Sequence, residues 1–162
     1  MNTSIDELDA QIIALFLREP RIGVLGASRR LGIARATVQS RLDRLAERGV
    51  IETWAPAIDP ERLGYPVTAF LTLEIRQDYG HERVSRHLAE IPEVIEASTI
   101  TGSGDLWCRV VARSNADLQR VIDSVVDFDS VERTSTVIAL STQLRRRVAP
   151  LVAAAAAHPP AP

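Results

Sequence analysis

Residues 31–49 read LGIARATVQSRLDRLAERG. Val38, Leu42 and Leu45 recur at the i, i+4, i+7 spacing of one helical face, and Gly49 ends the run as a C-terminal glycine does. The spacing predicts a helix over Arg35–Arg48. Ahead of it, Val24 to Leu31 reads as a shorter, weaker helix closed by Gly32. Further back, Leu8, Ile12, Leu15 and Phe16 form the apolar stripe of another, which Pro20 ends. Ser4 followed by Glu7 is the capping-box pattern expected at its start. Three short helices, the last two separated by a tight glycine-containing turn, predict a helix-turn-helix. Val50 to Ile58 then turns β-like, and Asp59-Pro60 and Gly64-Tyr65-Pro66 punctuate a connection.

Charge singles out the same stretch. Residues 1–54 carry 8 Arg against 7 acids, residues 55–144 carry 8 Arg against 14 acids, and residues 145–162 carry 3 Arg and no acid. Between Ser28 and Arg48, six Arg face only Asp43 and Glu47. A local basic patch on an acidic chain suits a reader of nucleic acid, because attraction to phosphate acts within about 8–10 Å at ordinary salt.

Beyond residue 66 the period changes. Val67–Ile75 (VTAFLTLEI) is β-rich, and Val84, Leu88 and Ile91 are helically spaced. Val94–Thr101 and Leu106–Ala112 read as two strands joined by Gly102-Ser103-Gly104-Asp105. Leu118, Val121, Ile122 and Val125 lie on one helical face, capped by Ser114 or Asn115, and Arg133–Ser141 is a last strand. The order βαββαβ is the ferredoxin-like arrangement, with helices on one face of the sheet. The other face, expected to carry Phe70, Val110 or their neighbours, needs a cover, and a second copy of the chain is the natural candidate. The expected architecture is therefore α+β. A helix-turn-helix domain spans 1–54, a linker 55–66, and a βαββαβ domain with one face to be covered 67–144. Residues 145–162, with Arg145-Arg146-Arg147 followed by Ala, His and Pro, read as a frayed, disordered tail.

Composition narrows the chemistry. Of 162 residues, 46% are hydrophobic and 25% charged, with a net charge of −2, close to a soluble globular average. All 19 basic residues are Arg, so a lysine nucleophile or a P-loop lysine is excluded. A lone cysteine, Cys108, makes neither an internal disulfide nor a multi-cysteine zinc site, and His81, His87 and His158 lack metal-ligand spacing. No catalytic residue, metal or cofactor is expected. No apolar run approaches the ~18–20 residues of a membrane span. Met1 to Glu7 does not read as a secretory signal, and a cytoplasmic protein is expected.

The ordered pieces Ile5-Asp6-Glu7-Leu8-Asp9, Leu31-Gly32-Ile33, Val38-x-x-Arg41-Leu42-x-Arg44-Leu45, Gly49-Val50-Ile51, Asp59-Pro60, Gly102-x-x-Asp105 and Thr134-x-Thr136-x-Ile138 resemble the Lrp/AsnC family of feast/famine transcriptional regulators. The likeness runs over about residues 5–141. It implies a winged-helix DNA-binding domain joined to an effector-binding domain that dimerises. It also implies assembly to octamers and a small-molecule effector such as an amino acid. Three departures are visible. Gly26-Ala27-Ser28 stands where the family has Glu-Leu-Ala, Ala34 replaces the usual serine cap of the recognition helix, and Ser103 replaces a second carboxylate in the turn.

On the predicted recognition helix, Thr37, Arg41, Arg44 and Arg48 fall within about 60° of one another, at roughly 90° from the apolar stripe. They are the candidate phosphate face, with an intradomain ion pair as the alternative for Arg41 and plain solvated surface for Arg44 and Arg48. The first turn, Arg35, Thr37, Gln39 and Ser40, would meet base edges of double-stranded DNA, Arg35 pairing with guanine and Gln39 with adenine. The candidate effector site is Gly102, Ser103, Gly104 and Asp105, with Asp105 opposite an ammonium group and hydroxyls from Thr134 and Thr136. A bare hairpin in which Asp105 caps its own turn is the competing reading. An enzyme of the siroheme-decarboxylase kind on the same architecture is the alternative function, disfavoured by the −6 charge of residues 55–144.

Overall fold

The computed structural model describes residues 5–76 and 80–158. Contacts divide the chain into two units, the first running to Pro56 and resuming at Gln143, the second spanning Ala57–Thr142.

In the first unit, α1 (Glu7–Arg18), α2 (Gly23–Leu31) and α3 (Arg35–Glu47) enclose Ile12, Leu15, Ala27, Val38 and Leu42. Gly32 (φ 67°) and Gly49 (φ 70°) close α2 and α3 in the left-handed conformation that residues with a Cβ resist. Gly26 has a packing reason, because a Cβ there would lie 2.7 Å from Ile22 Cγ1. The capping box differs from expectation. Asp6 caps α1 by accepting the Asp9 N–H at 2.8 Å, and Asp9 returns the bond by accepting the Asp6 N–H at 3.2 Å. Glu7 is already helical, and Ser4 lies outside the described residues.

Two expectations are corrected in this unit. Residues 50–58 contain no strand. The N–H groups of Val50 and Ile51 turn back to the Leu45 carbonyl instead, and among the described residues no strand pairs with this segment. The expected tail is a helix, α6 (Ala149–Ala157), which packs on α1. Val152, Ala155 and Ala156 close over Ile5, Ala10 and Leu45. The sheer apolarity of the segment, presented to a complementary groove, replaces the missing period.

The second unit is an antiparallel sheet of β1 (Val67–Ile75), β2 (Val94–Thr99), β3 (Leu106–Ala112) and β4 (Val131–Ile138), in the order β2-β3-β1-β4. Helices α4 (Gly80–Ala89) and α5 (Asn115–Val126) cover one face, and Ser114 caps α5 by accepting the Asp117 N–H. Alternation decides which side chains are buried: Ala69, Leu71, Leu73 and Ile75 of β1 face the helices with Leu106, Cys108 and Val110 of β3. Phe70 pairs with Arg109 rather than Val110. Phe70 therefore shares the open face with Trp107 and Arg109, and Val110, expected there, is core. Residues 55–66 contain one 3₁₀ turn, Glu61–Leu63, ended by Gly64.

Candidate nucleic-acid interface and effector turn

Helix α3 presents Arg35, Thr37, Gln39, Ser40 and Arg44 to solvent, while Val38, Leu42 and Leu45 are buried. Its N-cap, Ala34, makes no side-chain capping bond. Arg35, the first helical residue, has no ion pair among the described residues. A cation at an uncapped helix N-terminus opposes the macrodipole and leaves backbone donors unsatisfied, so this end of α3 is electrostatically tuned for an anion. Gln39 is the exception in that turn, because its Nε2 donates to Asp43 at 2.7 Å.

The Arg stripe is divided. Arg41 donates to Asp6, and to Asp9 Oδ1 at 3.0 Å. Arg44 reaches Asp9 at 3.3 Å while its own side chain stays 47% exposed. The Asp9 carboxylate, 2% exposed, thus closes the cap of α1 and pins that helix to α3. For Arg41 the intradomain pair, the competing reading from sequence, is what forms. Bonding to Arg41 holds the Asp6 carboxyl below its ordinary value and raises the Arg41 guanidinium.

The turn at residues 102–105 is clamped to β1. Asp105 N donates to the Leu73 carbonyl at 2.9 Å, and Asp105 Oδ2 accepts the Ile75 N–H at 2.8 Å. A Cβ on Gly104 would lie 2.4 Å from Thr72 Cγ2 and 3.2 Å from the Leu73 carbonyl oxygen, so only glycine fits there. Gly102 (φ 119°) and Ser103 are exposed. Asp105 therefore caps the neighbouring strand rather than its own turn. Thr134 and Thr136 lie across β1, paired with Leu73 and Leu71, and the Thr134 hydroxyl is 3.4 Å from the Thr72 carbonyl. Two strand spacings, roughly 10 Å, separate them from the turn, so one chain does not bring these groups together. Burial pushes the Cys108 thiol up to about 11, which keeps it protonated and inert.

On the open face, Phe70 and Trp107 stack with ring centroids 5.3 Å apart, and Val137 beside Phe70 is 63% exposed. Arg145, Arg146 and Arg147, set aside with the tail in the sequence reading, belong to the helix-turn-helix unit. Their distance in sequence from α3 hides this.

Residues 5–52 match the winged helix-turn-helix DNA-binding family profile, and residues 68–149 match the Lrp/AsnC ligand-binding domain profile. The HTH-type transcriptional regulator FL11 of Pyrococcus horikoshii is 30% identical over 142 residues, which is 88% of this chain and 93% of that protein. Among solved structures, Escherichia coli AsnC superposes with a TM-score of 0.81 at 26% identity, covering 90% of this chain and 99% of that one. The Mycobacterium tuberculosis feast or famine regulatory protein complexed with L-methionine gives 0.78 at 25%, covering 88% and 96%.

Proposed function

Because this chain belongs to the Lrp/AsnC family of transcriptional regulators, with a helix-turn-helix and a ligand-binding domain, we propose that α3 reads duplex DNA with its exposed first turn. Arg35, Thr37 and Ser40 meet base edges, and Arg44 and Arg48 meet phosphates. Arg41 holds α1 against α3 rather than contacting DNA itself, and Gln39 must exchange Asp43 for a base to take part. The observation that carries this reading is Arg35, exposed and unpaired at an uncapped helix start. Fluorescence anisotropy with fragments of the chain's own promoter tests it. Arg35→Ala should lower affinity for the preferred sequence by about 5- to 150-fold, the range of a lost bidentate base contact. Equal loss on all sequences would sink the base-reading role.

The sheet's open face, with the Phe70–Trp107 stack and exposed Val137, supports a homodimer formed by two copies of that face, itself the unit of a larger closed assembly such as an octamer. Phe70→Glu should give a monomer in light scattering. A small zwitterion of the amino-acid class is the effector, as the L-methionine complex of the mycobacterial relative suggests. Exposed Gly102 and Ser103 offer backbone donors, and Asp105 Oδ1 is the carboxylate oxygen left for an ammonium. Since Thr134 and Thr136 lie across β1, they reach the same effector only if a partner copy completes the site. A thermal-shift screen of free amino acids tests this, and no response to any of them would remove the effector class. The protein acts in the cytoplasm as a regulator and not an enzyme. A visible absorption band in the purified protein would favour the tetrapyrrole alternative.

A further inference from the structure

We propose that Arg145, Arg146 and Arg147 are a second DNA-phosphate contact, seated at the C-terminal end of the recognition helix, where residues 50–58 form no strand. Three observations meet here. Docking of α6 on α1 makes residues 143–157 part of the helix-turn-helix unit. Counted that way, the unit holds 11 Arg against 7 acids, net +4, whereas residues 57–142 are −6. Second, the cluster has a place. Arg146 Nη2 lies 3.3 Å from Glu52, and the residue before Glu52 is bonded through its N–H to the Leu45 carbonyl, at the end of α3. Third, the Arg146 and Arg147 charges can be spent on a ligand. All three Arg are exposed, and Arg147 has no partner among the described residues. The Arg146–Glu52 pair is 86% and 79% exposed, the kind of surface pair that contributes little, so a phosphate can displace the carboxylate cheaply.

A wing ordinarily reaches the backbone flanking the site read by the recognition helix. Here residues 50–58 make no strand, and the only acid-free run of three cations in the chain sits beside them. Arg146 adopts φ 29°, a left-handed turn uncommon for Arg, just before the chain enters α6. The chemistry is a guanidinium–phosphate contact that positions the protein and carries no sequence information.

The inference rests on the DNA-binding reading, and the test separates the two. Full-length wild type, Arg145→Gln/Arg146→Gln/Arg147→Gln, the corresponding triple Lys variant and Arg35→Ala are titrated against a promoter fragment and an unrelated duplex of ~30 bp, about three helical turns. Salt is varied between ~50 and ~200 mM. The Gln variant should bind both duplexes about fivefold or more weakly, with a salt slope shallower by roughly 1–3 units per protomer. The Lys variant should restore most of the binding, and Glu52→Gln should tighten it. If the Gln variant keeps wild-type affinity and slope while Arg35→Ala loses binding, the second contact does not exist. If Lys fails as badly as Gln, the segment merely holds α6. If wild type binds neither duplex, the DNA reading itself fails.

Discussion

Asp105 Oδ2 accepts the backbone N–H of Ile75 at 2.8 Å, so a carboxylate continues the β1 ladder at a level that β3, starting at Leu106, does not reach. Removing it leaves a backbone donor without its acceptor. Asp105→Ala should cost about 1–3 kcal/mol, and Asp105→Asn, which keeps an amide oxygen, less. Urea unfolding measures both. If Asp105 also holds the effector's ammonium, Asp105→Asn should weaken effector binding by roughly 10- to 150-fold, out of proportion to its small stability loss. A weakening that merely tracks the stability loss would leave Asp105 as a cap alone.

Gly104 supplies the steric half of the same clamp. Gly104→Ala places a Cβ into Thr72 Cγ2 and should destabilise the second unit by about 1–3 kcal/mol. Thr72→Ala removes that methyl group, so the Gly104→Ala penalty should shrink in its background. A double-mutant cycle in denaturant reads the coupling, and full additivity would contradict the contact.

Acid sensitivity of the first unit should centre on Asp6. Its carboxyl lies below the ordinary 3.8 chiefly because Arg41 donates to it. A depressed native value means the bond stabilises fully above 3.8 and is lost as pH falls below 3.8 towards the native value. Asp6→Asn keeps a competent helix cap while removing the charge. The stability gap between wild type and Asp6→Asn should be present at pH 6 but small, because Asp6 is 54% exposed, and should shrink progressively as pH falls below 3.8. Thermal melts across that range decide it, and a gap that persists in acid would assign the effect to something other than the pair.

How far the sequence was legible follows from where information is local. The periodicities of Val38-Leu42-Leu45 and of Ala69-Leu71-Leu73-Ile75 reveal helix and strand faces directly, because burial imposes them residue by residue. Register is less local. Val110 could be placed on the covered face only once Phe70 was known to pair with Arg109. Arg41 and Asp9 are 32 residues apart, and nothing in either segment announces the pair. Two capping-box patterns overlap in the sequence ahead of α1, Ser4 with Glu7 and Asp6 with Asp9, and pattern alone does not choose between them. The alanine run at the C-terminus carries no period at all, and its helix is fixed by the distant surface of Ile5, Ala10 and Leu45 that it covers.

That run gives the sharpest prediction about packing. Val152, Ala155 and Ala156 face Ile5, Ala10 and Leu45, whereas Ala153 and Ala154 face solvent. Ala155→Glu forces an unpaired carboxylate against this apolar groove and should cost the first unit about 1–3 kcal/mol. Ala153→Glu, on the exposed side of the same helix, should stay within about 0.5 kcal/mol of wild type. Hydrogen exchange adds a local readout, since undocking α6 uncovers Ile5, Ala10 and Ile13 and should speed exchange in α1 without touching the sheet. Light scattering should show an unchanged assembly in both variants, because the face proposed to dimerise belongs to β1, β3 and β4. Equal stability of the two variants would mean that α6 lies on α1 without holding it. A dissociated Ala155→Glu assembly would instead place α6 at an interface between copies.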